Sequence, residues 1–380
     1  MKVKKKIENV IGILNNAILL KNQEVTVGFD GFVDSVVRVI RSVDDKNSHT
    51  YFQSISEFGE YIIEKKDKSC SIELEELVVK IGGNMPILAN ALGNLGAKVN
   101  CIGAMGFPEI HNAFRDISSN CVLYSIARPG YCTALEFRDG KVMLGNNNGI
   151  NSMTWQGIKE LIGLERLIHL YSNSRIVGLF NWSEINPSTS IWEGIINDIL
   201  PKHKPNKGQI IFFDLSDCSK RDQSYILYAL KLIEKFNEHF SVILSLNENE
   251  TGCIFNALNT ENKSDDPEYM GEIIYDFLNI DTLIVHPVRF SFAWDRKGKY
   301  RVDNLYIAQP KLSTGGGDNF NAGFCLAKLI GADMASSLII ANAVSGFYIK
   351  NGYSANKNEL IEFLHQWQKI ANSEEMSKQE

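Results

Sequence analysis

Residues 313–324 read S-T-G-G-G-D-N-F-N-A-G-F. Three consecutive glycines run into Asp318, and a helix-compatible stretch follows through Phe320, Phe324 and Leu326 to Ile330, with Gly331 as its stop. Glycine loses more backbone entropy on folding than any other residue, so three of them at a helix start serve something other than helix stability. A bare loop that opens a helix lets successive N–H groups face one anion, with the positive end of the helix dipole behind them. A carboxylate at that spot repels an anion. It makes sense if Asp318 addresses a third party, a hydroxyl whose proton it takes during attack on a phosphoryl group. On spacing alone, a glycine turn with Asp318 as an ordinary N-cap reads equally well.

The chain of 380 residues has room for one large α/β domain or two small ones. Its 39 basic and 45 acidic residues leave a formal charge of −6, which argues against nucleic acid or an anionic membrane as the main partner. Seven scattered cysteines with no C-x-x-C pair read as reduced thiols of a cytoplasmic protein. At the N-terminus Ile7, Val10, Ile11, Leu14 and Ile18 fall at helical spacing, which predicts a surface amphipathic helix rather than a signal peptide. No segment is long and apolar enough to span a bilayer.

Short apolar runs alternate with helical patterns. Val25–Phe29, Lys98–Gly103, Arg175–Asn181, Gln209–Asp214, Ser241–Leu246 and Thr282–Val288 read as strands. Pro86–Leu95, Trp155–Leu170, Asp222–Phe236 and Tyr269–Leu278 read as helices. This predicts an α/β fold with a mostly parallel central sheet and helices on both faces, with ligands at the carboxyl ends of the strands. Phe32–Ile40 and Cys121–Leu144 break the alternation as extended structure, the second with a hairpin turning at Asp139-Gly140. They read either as a small flap or as edge strands of the main sheet. No linker, repeat or Pro-rich boundary divides the chain, so residues 1–380 are expected to form one domain, with the tail from Ser373 frayed.

The run Thr314-Gly315-Gly316-Gly317-Asp318, continued by Asn319-Phe320-Asn321-Ala322-Gly323-Phe324, resembles the C-terminal signature of the PfkB or ribokinase-like carbohydrate kinases, D-T-x-G-A-G-D-x-F-x-A-G-F. Gly316 stands at the family's middle Ala and Leu312 at its leading Asp. Other segments match in the family's order: Asp30 or Asp34 in V-G-F-D-G-F-V-D, then Gly82-Gly83-Asn84, then Asn247-Glu248-Asn249-Glu250 as N-x-x-E, then Ala341-Asn342-Ala343 and Asn351-Gly352-Tyr353-Ser354. The resemblance covers roughly Val25 to Gly352.

The resemblance implies a kinase that moves the γ-phosphoryl of ATP to a hydroxyl of a sugar or sugar-like substrate. Asp318 is its catalytic base, and Gly315, Gly316 and Gly317 form its anion hole. Asp30, Asp34, Gly82, Gly83 and Asn84 hold the acceptor, and Asn181 at a strand end faces the same cleft. Asn247, Arg289, Thr314, Gly315, Gly317, Asn342 and Gly352 bind nucleotide, and Asn247 and Glu250 organise Mg2+. A monovalent cation and a homodimer through the lid also belong to the family's repertoire. The lid is expected at about residues 32–55 and 121–146. Sugar hydroxyls are bonded in pairs by acids and amides, and magnesium takes oxygen ligands and keeps waters, so these residue types suit their roles.

Two further departures from the family carry weight. Ile87 stands where many members place an acceptor-binding Asn, which points to a different sugar or one held from elsewhere. Val285-His286-Pro287-Val288-Arg289-Phe290 is similar to the H-x-x-R-like stretch of the ADP-dependent sugar kinases, which keeps ADP open as the donor. Arg289 suits a phosphate. His286 reads as a neutral histidine packed at a strand end, or as a second phosphate contact. A nucleoside kinase and a non-catalytic sugar-binding protein of the same fold stay as alternatives. No P-loop, H-E-x-x-H, G-x-S-x-G or clustered Cys/His site is present, which closes those routes.

Overall fold

A computed structural model describes residues 2–16, 20, 23–46, 48–204, 208–258, 263–312 and 314–376. Ser313 and Ile18 lie outside the described residues. In chain order the strands are β1 (Glu24–Phe29), β2 (Phe32–Val43), β3 (His49–Tyr51), β4 (Leu74–Gly82), β5 (Lys98–Gly103), β6 (Cys121–Ser125) and β7 (Gly130–Phe137). Then follow β8 (Gly140–Asn146), β9 (Ser174–Leu179), β10 (Ile210–Asp214), β11 (Ser241–Leu246), β12 (Thr282–Val285), β13 (Phe290–Asp295) and β14 (Gly298–Asp303).

Nine strands form the main sheet in the order β14-β13-β12-β11-β10-β9-β1-β5-β6. All neighbours are parallel from β12 through β6, and β13 and β14 add an antiparallel hairpin at one edge. Helices on both faces bury both sides of the parallel strands, which is why these strands read as unbroken apolar runs. Along β10, Ile210 and Phe212 point into one core, and Ile211 and Phe213 into the other. Phe213 is fully buried, and Ala in its place would cost about 3–5 kcal/mol. Strand order reverses about β1, whose neighbours are β5 and β9, so the carboxyl ends of β1 and β9 flank a crevice.

The second sheet runs β3-β2-β7-β8, with β4 pairing β2 on its other side. The two extended segments therefore divide. Phe32–Val43 and the hairpin β7–β8 belong to this small sheet, with the turn joining Phe137 to Gly140. Cys121–Ser125 pairs in parallel with β5 and is an edge strand of the main sheet. The lid boundary therefore moves from residue 121 to Gly130. Leu74–Gly82, which the sequence pattern does not single out, supplies a further lid strand. The helix Ile55–Glu64 packs Phe58 and Tyr61 against the small core of this sheet, formed by Val37, Val39, Phe52, Leu135 and Phe137.

The expected helix Trp155–Leu170 is two helices, Trp155–Ile162 and Leu164–Asn173, parted at Gly163 with φ 88°. The N-terminal helix Lys2–Asn16 buries Ile7, Val10, Ile11 and Leu14, as its spacing predicts. The C-terminal helix Lys357–Met376 carries regular backbone past Ser373, where fraying was expected, and the rest of that tail, 377–380, lies outside the described residues. Strand β12 stops at Val285, short of the expected Val288.

Candidate active site

The glycine run opens the helix Gly316–Leu329, with Gly315 as its N-cap in the left-handed region at φ 93°. Only glycine takes that conformation without strain. A Cβ on Gly315 would also stand 2.7 Å from the Tyr348 hydroxyl, which donates to the Thr314 carbonyl at 3.0 Å. Ser345 ties the loop from the other side, donating to the Gly316 carbonyl at 2.8 Å. Asn319 closes the first turn by donating from Nδ2 to the Gly315 carbonyl. The carbonyls of the loop are thus held by the protein, and the N–H groups of the first turn are left for a ligand.

Asp318 sits in the first turn of this helix, 8% exposed. Burial pushes its carboxyl well above the ordinary range, and the charges of Asp214 and Asp30 push the same way. A hydrogen bond with the Asn84 side chain opposes them. A carboxyl with a raised pKa in a cleft is a candidate proton acceptor.

Asn84 links two layers. Its side chain meets Asp318, and its backbone N–H donates to Asp30 Oδ2 at 2.7 Å. The Met85 N–H donates to the other oxygen of Asp30 at 2.8 Å. Asp30 thus caps the helix Asn84–Asn94, whose own N-cap, Gly83, has no side chain to do so. A Cβ on Gly83, at φ 91°, would stand 2.6 Å from Asp30 Oδ2, and one on Gly82 would run into the carboxylate of Asp34. The two glycines are therefore shaped by two carboxylates. Asp30 is fully buried, and burial raises its pKa to about 6 against its hydrogen bonds with Asn181, Met85 and Asn84. Asp34, on β2, is raised by burial and opposed by the charges of Lys80 and Lys141. Asn181 is 2% exposed in the left-handed region at φ 58°. It donates from Nδ2 to Asp30 Oδ2, while its Oδ1 has no partner.

On the other side of Asp318 lies a cleft of about 670 Å³. The structure brings Asn84, Asn247, Glu250, Thr314, Gly315, Gly316, Gly317, Asp318 and Asn342 into its wall. Asn247 and Glu250 form a reciprocal capping box. Asn247 accepts from the Glu250 N–H at 2.9 Å, and Glu250 accepts from the Asn247 N–H at 2.9 Å. Glu250 is buried, and its carboxyl is pushed well up by burial and by the charge of Asp214. Asn342 donates to the Ser291 hydroxyl at 2.9 Å.

Two expected nucleotide contacts are not among the residues lining the cleft. Arg289 is exposed and lays its guanidinium over the Tyr306 ring, 4.7 Å from its centre. Gly352 is the left-handed residue that ends the helix Met334–Asn351, its N–H donating to the Tyr348 carbonyl. Its glycine identity is explained by helix termination.

The cleft also contains residues the motifs did not single out. Asp214, at the end of β10, is buried and raised to about 6 by burial. It accepts from the Ser216 N–H at 2.9 Å and from Asn321 Nδ2 at 2.7 Å, and Asn321 accepts in turn from Ser245. Its position at a strand end was the available signal. The irregular segment from Asn304 to Pro310 and the helix residues Ser345, Gly346 and Ile349 complete an apolar end. That segment has no periodicity by which sequence could place it.

Residues 16–367 match the family described as prokaryotic ketohexokinase. The chain belongs to that family. A ketohexokinase of Haloferax volcanii is 26% identical over 341 residues, 89% of this chain and 90% of that protein. The fold is also that of solved kinases. A Thermotoga maritima ribokinase matches 90% of this chain and 99% of its own with a TM-score of 0.60 at 15% identity. An Arabidopsis thaliana ribokinase complexed with ribose and ATP matches 90% and 98%, with a TM-score of 0.61 at 14% identity. A nucleoside kinase of Methanocaldococcus jannaschii gives 90%, 98% and 0.56 at 16% identity. Family membership makes the chain a phosphotransferase with an alcohol acceptor, a carbohydrate kinase of the PfkB type. Among the described residues no helix is long and apolar enough to cross a membrane.

Proposed function

We propose that the protein transfers the γ-phosphoryl of ATP to a hydroxyl of a ketohexose in the cytoplasm. The observation that carries this is the position of Asp318. It lines the large cleft on one side and hydrogen-bonds Asn84 on the other, and the Asn84 backbone is bound to Asp30. An acid placed between a nucleotide-sized cleft and a pocket of acids and amides can take a proton from the hydroxyl that attacks the donor. Asp30 and Asn181 fix the floor of the acceptor pocket, Asp34 faces it from the lid, and the unpartnered Asn181 Oδ1 is free to accept from a hydroxyl. The N–H groups of Gly315 to Gly317 receive charge developing on the phosphoryl oxygens. Asn342 and the apolar end of the cleft receive the base.

The donor set fits a hydrated Mg2+. Asp214 and Glu250 spend their oxygens on Ser216, Asn321 and Asn247, and no three His, Cys, Asp or Glu side chains among the described residues close on one ion. Such residues hold the ion through its waters. When bound, it neutralises phosphate charge that the acidic wall would otherwise repel.

The test is a coupled assay with ketohexoses, aldoses and nucleosides as acceptors, and with ATP and ADP as separate donors. Turnover of a ketohexose with ATP is the expected result. Turnover with ADP alone overturns the donor, nucleoside turnover alone overturns the acceptor, and nucleotide binding without turnover favours a binding protein.

The lid supports one addition. Leu77, Val78 and Val79 of β4 and Met143 and Leu144 of β8 are each at least 40% exposed. Apolar edges of this kind are usually covered, and a second lid covers them in a homodimer.

A further inference from the structure

The cleft assigned to the donor has an unusual wall. Among its described lining residues there is no Lys or Arg, while Asp214, Asp217, Glu250 and Asp318 are all acidic. A nucleoside triphosphate there must be held by neutral hydrogen-bond donors as well as by its cation.

One side chain in that wall has no assigned task. His286 follows β12, with its N–H bonded to the Leu246 carbonyl at 2.9 Å. Its ring stacks on Phe320, centroids 4.5 Å apart and planes 25° apart. Phe320 lies on the glycine-opened helix, two residues past Asp318. The stack aims the ring edge at the first turn of that helix, with Cε1 3.6 Å from where a Cβ on Gly317 would stand. The neighbouring Nε2 is buried and has no partner. A buried polar atom without a partner is costly unless a ligand supplies one.

We propose that His286 donates a hydrogen bond from Nε2 to a phosphate oxygen beyond the α position of the donor nucleotide, opposite the N–H group of Gly317. The proposal builds on the kinase reading of the same cleft. The ring is held by Phe320 and by the end of β11, so it is oriented before the nucleotide arrives. Burial lowers its pKa to about 4, so it acts as a neutral donor across the working range. The position in the fold differs from that of Arg289, three residues on, which lies against Tyr306.

Calorimetric titration of AMP and ATP with Mg2+, without sugar, tests this independently of the acceptor. His286→Phe keeps an aromatic ring over Phe320 and removes the donor. It is expected to weaken ATP roughly tenfold, the scale of one hydrogen bond to a charged group, and to leave AMP within twofold. His286→Gln restores an N–H near the same place and is expected to recover part of the loss. The nucleotide-free melting temperature of His286→Phe is expected to equal or exceed wild type, because an unpaired buried atom is gone. Unchanged ATP binding in His286→Phe overturns the proposal, as does equal weakening of AMP and ATP. A wild type that binds no nucleotide overturns both this contact and the kinase reading, whereas ATP binding without sugar turnover strikes only the latter.

Discussion

Asn181 donates to Asp30 across 2.7 Å while its own Oδ1 is buried and unpartnered. The pair joins the ends of β9 and β1 at the point where strand order reverses. Asn181→Ala should destabilise the fold by about 1–3 kcal/mol, since it strips one donor from a buried carboxylate. It should raise the KM for the sugar and leave that for ATP within twofold. Steady-state kinetics with each substrate varied separately checks the split.

Asp318→Asn should fold, bind ATP and lose about 10²–10⁴-fold in kcat, the usual contribution of a general base. Near-normal turnover would remove Asp318 from that role. In the wild type, kcat should rise with pH through a range above that of an ordinary carboxylate, because burial raises the Asp318 pKa.

Gly315→Ala should cost about 1–2 kcal/mol from the left-handed backbone alone. It should also push the Tyr348 hydroxyl off the Thr314 carbonyl and disturb the loop. Adding Tyr348→Phe relieves the collision but not the backbone. The double variant should therefore recover some ATP affinity and little melting temperature.

Asp214 titrates near 6 in the folded protein against 3.8 for a free aspartate. Between about pH 4 and 6 the folded form keeps a proton that the unfolded chain releases. Stability therefore falls as pH rises through that window, and the loss is complete above it. The shift corresponds to at most about 3 kcal/mol. Asp214→Asn should flatten this part of the profile, because the Asn321 amide can turn over and still serve both the new amide and Ser245. Denaturant melts at pH 4, 5, 6 and 7 measure it. Asp30 contributes a second component of the same sign, which the variant retains.

Val78→Lys on β4 should leave the main sheet intact and convert a lid-paired dimer to a monomer. A charge on an edge strand blocks pairing at little cost to a single chain. Sedimentation of both proteins decides it, and a wild type that is monomeric throughout removes the lid dimer.

The parallel core was legible because buried parallel strands write themselves as short apolar runs. Lys98–Gly103 and Ser241–Leu246 coincide with β5 and β11. β4 was not legible, since L-E-E-L-V-V-K-I-G gains its strand form from pairing with β2, some forty residues earlier. Cys121–Ser125 could be read toward either sheet because pairing partner, not local pattern, decides it. In the site, the glycine run and N-x-x-E were visible as spaced motifs. Asp214 was not, because it carries its meaning through Asn321 and Ser216, contacts that only the fold makes. Arg289, a residue of suitable chemistry beside the right strand, does not itself line the cleft but lies over Tyr306, which does, and only the fold shows that.

The side chains assigned to the sugar all precede residue 182, those assigned to the nucleotide all follow residue 213, and Asn84 with Asp318 is the bond between the sets. Variation can therefore retune the fuel and the cargo separately. A lineage can trade one sugar for another without relearning how to hold the nucleotide, provided that one amide and one acid stay where they are.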